Sequence, residues 1–225
     1  MKIMFCIPGK TFSGDFLKSW DNLTQMLLSS NIDYVLKNEY SSVVYYARNM
    51  CLNGDNLSGM AQLPFNGEDY DYIMWIDSDI IFKPRDFFKL LNDMETNKSI
   101  NILSGLYKTE DDVHYTAVKK WDVEYFGKHG TFPFLKKKDI DSFNNKIVPV
   151  TYVGFGFVMM RHGVIEKMEY PWFKPIYHHM VIGNITIDDF SSEDVSFCLT
   201  AASLGFTIYI ESSIIVEHEK VRRLS

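Results

Sequence analysis

The apolar positions of the first hundred residues switch between short continuous runs and helical stripes. Lys2–Ile7 is a β-type run stopped by Pro8-Gly9. Phe16, Trp20, Leu23 and Leu27 then recur at spacings of 4, 3 and 4, which predicts a helix. Asp33–Leu36 reads as a second strand. Ser41 or Ser42 is suited to cap a helix, Ser42–Leu52, whose Val43, Ala47 and Met50 share a face. Residues 53–70 are rich in Asn, Gly and Asp and read as a loop. Tyr72–Ile76 is apolar throughout, as expected of a strand covered on both sides. Pro84 suits the first turn of a helix lined by Phe87, Leu91 and Met94, and Ile100–Leu103 reads as the next strand. The order β-α-β-α-β-α-β predicts an α/β protein with a mostly parallel central sheet flanked by helices.

The pattern changes after residue 107. Tyr115–Val118, Trp121–Phe126 and Lys146–Val153 read as short β pieces, and Lys136-Lys137-Lys138 as a solvated loop. Helical spacing returns at Val164–Met168 and at Ser192–Leu204, the latter closed by Gly205. Thr207–Ile210 and Ile214–Val216 read as final strands. With no Pro/Ser/Gly linker, the 225 residues predict one domain with a regular front and an irregular, β-containing back.

Composition narrows the function classes. A hydrophobic share of 46% and a charged share of 23% describe a folded chain long enough to bury its own core. The net charge of −6 argues against nucleic acid as a partner. Cys6, Cys51 and Cys198 are odd in number and lie in apolar stretches, which predicts reduced core thiols. No run approaches the roughly 20 apolar residues of a membrane span, and Ile3–Ile7 is too short for a signal peptide. The expectation is a soluble, cytoplasmic protein (the host cytoplasm, for a viral chain). The basic tail 220–225 reads as a frayed terminus or as a linker within a longer multidomain chain. The aromatic share of 15% is high, and Trp121, Tyr125, Phe126, Phe132, Phe134, Tyr152, Phe155, Phe157, Trp172, Phe173 and Tyr177 crowd the back half.

The most informative residues are Asp77-Ser78-Asp79, directly after the apolar strand. Ligands of open α/β sheets bind beyond the carboxyl ends of strands. Two carboxylates two residues apart repel unless a cation or ligand offsets them, and oxygen ligands suit Mg²⁺ or Mn²⁺. A polar turn closing the strand is the plainer reading. Glu193-Asp194 opens the last helix, where Ser191 with Asp194 resembles a capping box; the alternative is a general base aimed into a cleft. His218 follows the final strand, where it is either a surface residue or an imidazole ligand for Mn²⁺. Arg48 is either solvated or a fork for phosphate. His178-His179 read as bland loop residues. Gly154-Phe155-Gly156-Phe157 reads as a bulge or as a wall against a sugar face. Pro8-Gly9-Lys10-Thr11 lacks P-loop spacing, and no G-x-G-x-x-G follows the first strand.

In chain order, Ile3–Thr11, Ala47-Arg48-Asn49, Trp75–Asp79, Ser104–Tyr107, Gly154–Arg161, Ser192–Cys198 and Ile214–His218 resemble the motifs of the GT-A class of nucleotide-sugar glycosyltransferases. In its compact size the chain also resembles the small amino-terminal glycosyltransferase domain of a chlorella-virus protein. The resemblance implies a single domain, 1–225, with a nucleotide-binding half over 1–107 and an acceptor-binding half over 108–225. It implies a UDP-sugar donor, a carbohydrate acceptor and an Mn²⁺ or Mg²⁺ cofactor. Pro8, Gly9 and Thr11 would border the base, and Arg48 and Ser78 would approach the nucleotide. Asp77 would contact the ribose or share the metal with Asp79 and His218. Glu193 and Asp194 would face the reacting sugar and the acceptor.

Three rivals stand beside this reading. A sugar nucleotidyltransferase shares the glycosyltransferase fold but normally carries a glycine-rich loop with Arg after the first strand, which this sequence lacks. A phosphohydrolase of the haloacid dehalogenase type wants Thr or Val where Ile81 stands, on the first strand rather than the third. A non-catalytic carbohydrate-binding module would use the aromatics but has no need of Asp77, Asp79 and His218 together.

Overall fold

The computed structural model describes residues 1–220. The front half follows its hydrophobic pattern. β1 (Lys2–Cys6) leads into α1 (Gly14–Ser29), capped by the Ser13 hydroxyl, which accepts the Phe16 N–H at 3.1 Å. β2 (Asp33–Lys37), α2 (Val44–Cys51), β3 (Tyr72–Ile76), the short β4 (Ile80–Ile81) and α3 (Pro84–Thr96) follow. Then come β5 (Ile102–Leu106), two residues beyond its predicted start, and β6 (His114–Val118).

The back half departs more from expectation. Trp121–Phe126 is not a strand: α4 (Val123–His129) forms there because Asp122 accepts the Tyr125 N–H and Gly130, at φ 65°, closes the other end. The three lysines are not a loop. They end β7 (Phe134–Lys136) and open α5 (Lys137–Ser142), where Asp139 accepts the Lys136 N–H. β8 (Ile147–Val150), β9 (Tyr152–Val153) and β10 (Phe157–Arg161) come next, and Val164–Met168 makes only a 3-10 turn at Ile165–Lys167. The sequence reading missed the hairpin of β11 (Ile176–Ile182) and β12 (Ile185–Ser191), which puts His178 and His179 on a strand rather than in a loop. α6 (Glu193–Ser203), β13 (Ile208–Ile215) and β14 (Glu217–His218) complete the described chain.

Seven strands form the central sheet in the order β2-β1-β3-β10-β5-β13-β8, and five of them, all but β10 and β8, run the same way. The fold is a mixed α/β domain. β3 lies inside the sheet with all five residues buried, which explains its unbroken apolar sequence. Its Ile73 and Trp75 enter one core layer, while Tyr72, Met74 and Ile76 enter the other, packed with Phe16, Leu23 and Leu27 of α1 and Phe87, Leu91 and Met94 of α3. Each such side chain contributes about 1.5–3 kcal/mol on full burial. All three cysteines are free and buried. Among the described residues no helix is long and apolar enough to cross a membrane.

Candidate active site

The parallel alignment of β1 and β3 brings the loops after both strands to one edge of the sheet. There the Asp77 N–H donates to the Gly156 carbonyl at 3.0 Å, and the Ile80 N–H closes a turn on the Asp77 carbonyl at 3.0 Å. Gly9 presses on this turn. A Cβ at Gly9 would come within 2.4 Å of the Ser78 Cβ, so only glycine permits the approach. Asn38 steadies the Gly9 loop by donating to the Ile7 and Gly9 carbonyls at 2.7 and 2.9 Å. Pro8, Gly9, Tyr40, Ser41, Asp77, Ser78 and Asp79 border a cleft of about 240 Å³. Thr11 is exposed and lies outside that border.

α2 is inserted beneath the cleft. Its expected apolar face is not its buried one: Val43 and Met50 are exposed, whereas Ala47, Arg48, Asn49 and Cys51 are buried. Neither predicted serine caps the helix. Val43 occupies that position, and the Ser41 hydroxyl accepts its N–H at 3.2 Å. The Asn49 amide clasps Phe173, donating to its carbonyl at 2.7 Å and accepting its N–H at 3.2 Å. Arg48 meets Asp77 with both Nη atoms, at 3.0 and 3.2 Å, and donates from Nε to Glu193 at 3.3 Å. The rings of Trp75, Phe155 and Phe173 surround the guanidinium at 5.5–5.9 Å. Burial works against the Arg48 charge, but Asp77, Asp194 and Glu193 together raise its pKa further still. Burial lifts the Asp77 carboxyl above its ordinary value even though Arg48 pulls the other way.

Glu193 and Asp194 do not act as caps. Ser192 is the capping residue and makes no side-chain bond there, while the Ser191 hydroxyl pairs with that of Ser196 at 2.7 Å. Glu193 is buried on Arg48, and its pKa is raised by burial and by neighbouring Asp194. Asp194 is half-buried and accepts from the Tyr152 hydroxyl at 3.3 Å.

β14 pairs antiparallel with β4 and so delivers His218 to Asp79. The His218 Nδ1–H donates to the Lys108 carbonyl at 2.7 Å, which turns Nε2 toward Asp79 at 3.2 Å. Lys220, expected in the frayed tail, reaches the same Asp79 oxygen at 2.7 Å; the rest of that tail lies outside the described residues. Burial opposes ionisation of Asp79, yet bonds from His218 and Lys220 hold its pKa at about 2. Asp79 also raises the His218 pKa. Among the described residues no three His, Cys, Asp or Glu side chains cluster as a ready-made metal site, and Asp77 is engaged with Arg48 instead of joining Asp79 and His218. A carboxylate oxygen and an imidazole nitrogen are nevertheless a donor pair suited to Mn²⁺, and the Lys220 ammonium marks Asp79 as a group that draws a cation.

Sequence reasoning gave no role to Tyr107, whose hydroxyl accepts the Gly156 N–H at 3.0 Å and whose ring meets that of His218 at 5.2 Å. Gly154 and Gly156 are therefore not a wall for a sugar, since Tyr107 fills the space in which Cβ atoms would lie. The presence of Tyr in the Ser-Gly-Leu-Tyr stretch was the only signal.

No protein-family model matches the sequence. No curated protein matches it either. Solved structures do share the fold. The protein A197 from STIV is 20% identical over all of this chain and 88% of its own, with a TM-score of 0.59. The catalytic domain of Drosophila β1,4-galactosyltransferase 7, solved with xylobiose, is 12% identical over 98% of this chain and 71% of its own, with a TM-score of 0.51. GalNAc-T7 with UDP, GalNAc and Mn²⁺ is 10% identical over 99% of this chain and 44% of its own, with a TM-score of 0.50. At such identities the likeness is one of fold: this mixed α/β domain matches the fold of GT-A-type glycosyltransferases.

Proposed function

We propose that the protein is a metal-dependent glycosyltransferase that moves a hexose or deoxyhexose from a UDP-sugar to a hydroxyl of a carbohydrate acceptor. The observation that carries this reading is the convergence at one sheet edge of three things. These are the cation-drawing pair Asp79–His218, a cleft bordered by Pro8 and Gly9, and the carboxylates Asp77 and Glu193 held on buried Arg48. The fold neighbours lend support, one of them having been solved with UDP, GalNAc and Mn²⁺.

Asp79 and His218 would hold Mn²⁺ or Mg²⁺, and the metal supplies a Lewis acid for the negative charge that builds on the diphosphate leaving group. Asp77, locked by Arg48, accepts from a ribose hydroxyl rather than joining the metal. Residues 1–107 hold the nucleotide, with Gly9 and Ser78 close enough to grip it from both loops, and residues 108–225 form the acceptor side. Glu193 is occupied by Arg48, so Asp194 is the carboxylate free to take the acceptor hydroxyl proton, and Tyr152 orients it. A base on the acceptor side implies inversion at the anomeric carbon.

The test is incubation with a panel of nucleotide sugars, Mn²⁺ and oligosaccharide acceptors, following nucleotide release and the anomeric configuration of the product by NMR. Release that requires Mn²⁺ and disappears in Asp79→Ala is expected. Release at the parent rate in Asp79→Ala would overturn the metal assignment. Glycan binding with no release under any donor would instead identify a carbohydrate-binding module.

A further inference from the structure

A second, wider cavity lies outside the cleft just described. It is an open groove of about 1170 Å³ between the ends of β6 and β7, the start of α4, and α5 and β8. Four lysines line it, Lys119, Lys120, Lys136 and Lys138, all exposed. None of these ammonium groups forms an ion pair among the described residues; nearby Lys137, by contrast, is held by Asp141 at 2.9 Å. Lys119 instead lies over the Phe143 ring at 5.0 Å. Three acids share the lining: Asp122 accepts the Tyr125 N–H and Asp139 the Lys136 N–H, both at 2.8 Å, and Glu124 is exposed. The four lysines outnumber the lining carboxylates by one on a chain of net charge −6, and because no acid holds them their ammonium groups are available to an anionic ligand.

The groove also has aromatic walls and a definite address. Trp121 and Phe134 line it, and both pack on Tyr152, with ring centroids 6.2 and 5.9 Å away. Tyr152 is the residue that donates to Asp194. The near end of the groove is thus one aromatic ring away from the carboxylate assigned to the acceptor.

We propose that this groove binds an acidic glycan, a chain of carboxylate-bearing sugars that continues from the acceptor unit at Asp194. The lysines would pair with the carboxylates, and the half-buried rings of Trp121 and Phe134 would take the apolar C–H faces of the sugars. The proposal rests on the glycosyltransferase reading for what lies at Asp194, but binding in the groove needs neither donor nor metal.

The experiment is a calorimetric titration of the full protein with hexameric oligogalacturonate, with neutral maltohexaose and with a single-stranded oligonucleotide of equal charge. A parallel titration uses UDP with Mn²⁺. Oligogalacturonate is expected to bind in a salt-sensitive way and maltohexaose to bind far more weakly. K120E/K136E is expected to lower the oligogalacturonate affinity about tenfold or more while leaving UDP–Mn²⁺ affinity unchanged. Lys138→Glu alone is a milder variant that is expected to act in the same direction. The proposal is overturned if maltohexaose binds as tightly, if both lysine variants bind oligogalacturonate like the parent, or if the oligonucleotide binds more tightly. Failure of UDP–Mn²⁺ binding alone would remove the glycosyltransferase reading and leave an acidic-glycan site standing.

Discussion

Arg48 and Asp77 meet fork to fork, Nη1 on Oδ1 at 3.0 Å and Nη2 on Oδ2 at 3.2 Å, with the arginine side chain only 3% exposed. Such a pair is a poor source of net stability, because two ions are desolvated to make it. Removing one partner is another matter. Arg48→Met leaves Asp77 and Glu193 facing each other without a counter-ion, and urea denaturation is expected to show a loss of about 3–5 kcal/mol. Arg48→Lys keeps the charge but cannot make the fork together with the bond to Glu193, and should recover only part of it. A loss of less than about 1 kcal/mol in Arg48→Met would mean that the carboxylates find another partner.

Asp194→Asn is expected to retain UDP binding and the parent melting temperature while losing about 10²–10⁴ in turnover. Tyr152→Phe removes a positioning bond rather than the base, so turnover should fall less than in Asp194→Asn. Unfolding of Asp194→Asn would point instead to a structural role at the start of α6.

Gly154 sits against Tyr107, and a Cβ there would lie 2.4 Å from the tyrosine oxygen. Gly154→Ala is expected to cost about 1–3 kcal/mol by overpacking. Adding Tyr107→Phe removes the colliding oxygen. The double variant should therefore be less destabilised than the two single changes added together, as read from a thermodynamic cycle of melts. Simple additivity would show that the collision is relieved by movement of the backbone.

The raised pKa of Glu193 has a sign that can be measured. Burial and Asp194 lift it above the ordinary 4.5, so between that value and the raised one the folded state binds more protons than the unfolded. The stabilising contribution of the protonated carboxyl is complete below 4.5 and is lost as pH rises through the folded value. Relative to Glu193→Gln, the parent should lose stability as pH climbs from 4 toward neutrality, about 4 being the ordinary range of such a group. Parallel melts across that range decide it. A parent that gains on the variant with rising pH would reverse the assigned direction and make Arg48 the dominant influence.

The front of the fold was legible because its rules are local. Tyr72–Ile76 is apolar at every position since both faces of β3 are covered, and α1 and α3 carry their stripes at helical spacing. α2 misled the reading because its inward side chains are polar and find their partners far along the chain, at Asp77, Phe173 and Glu193. Apolar spacing carries no signal for that. The back half failed for a similar reason. Capping by Asp122 overrode β-prone aromatics in α4, and the exposed hairpin of β11 and β12 has no strong inner face to betray it. At the site, Asp77, Asp79, Glu193, Asp194 and His218 could be listed from motif order. That Asp77 belongs with Arg48 while Asp79 belongs with His218 was visible only in three dimensions.

The β14–β4 pairing has a consequence for how the protein is made. Asp79 is synthesised early, just after β3, but His218 reaches it only by laying β14 along β4. A chain still emerging from the ribosome therefore lacks the His218–Asp79 contact, however much of the sequence between them has been made. That contact closes a loop of 139 positions, so it reports on the docking of β14 rather than on the folding of the strands before it.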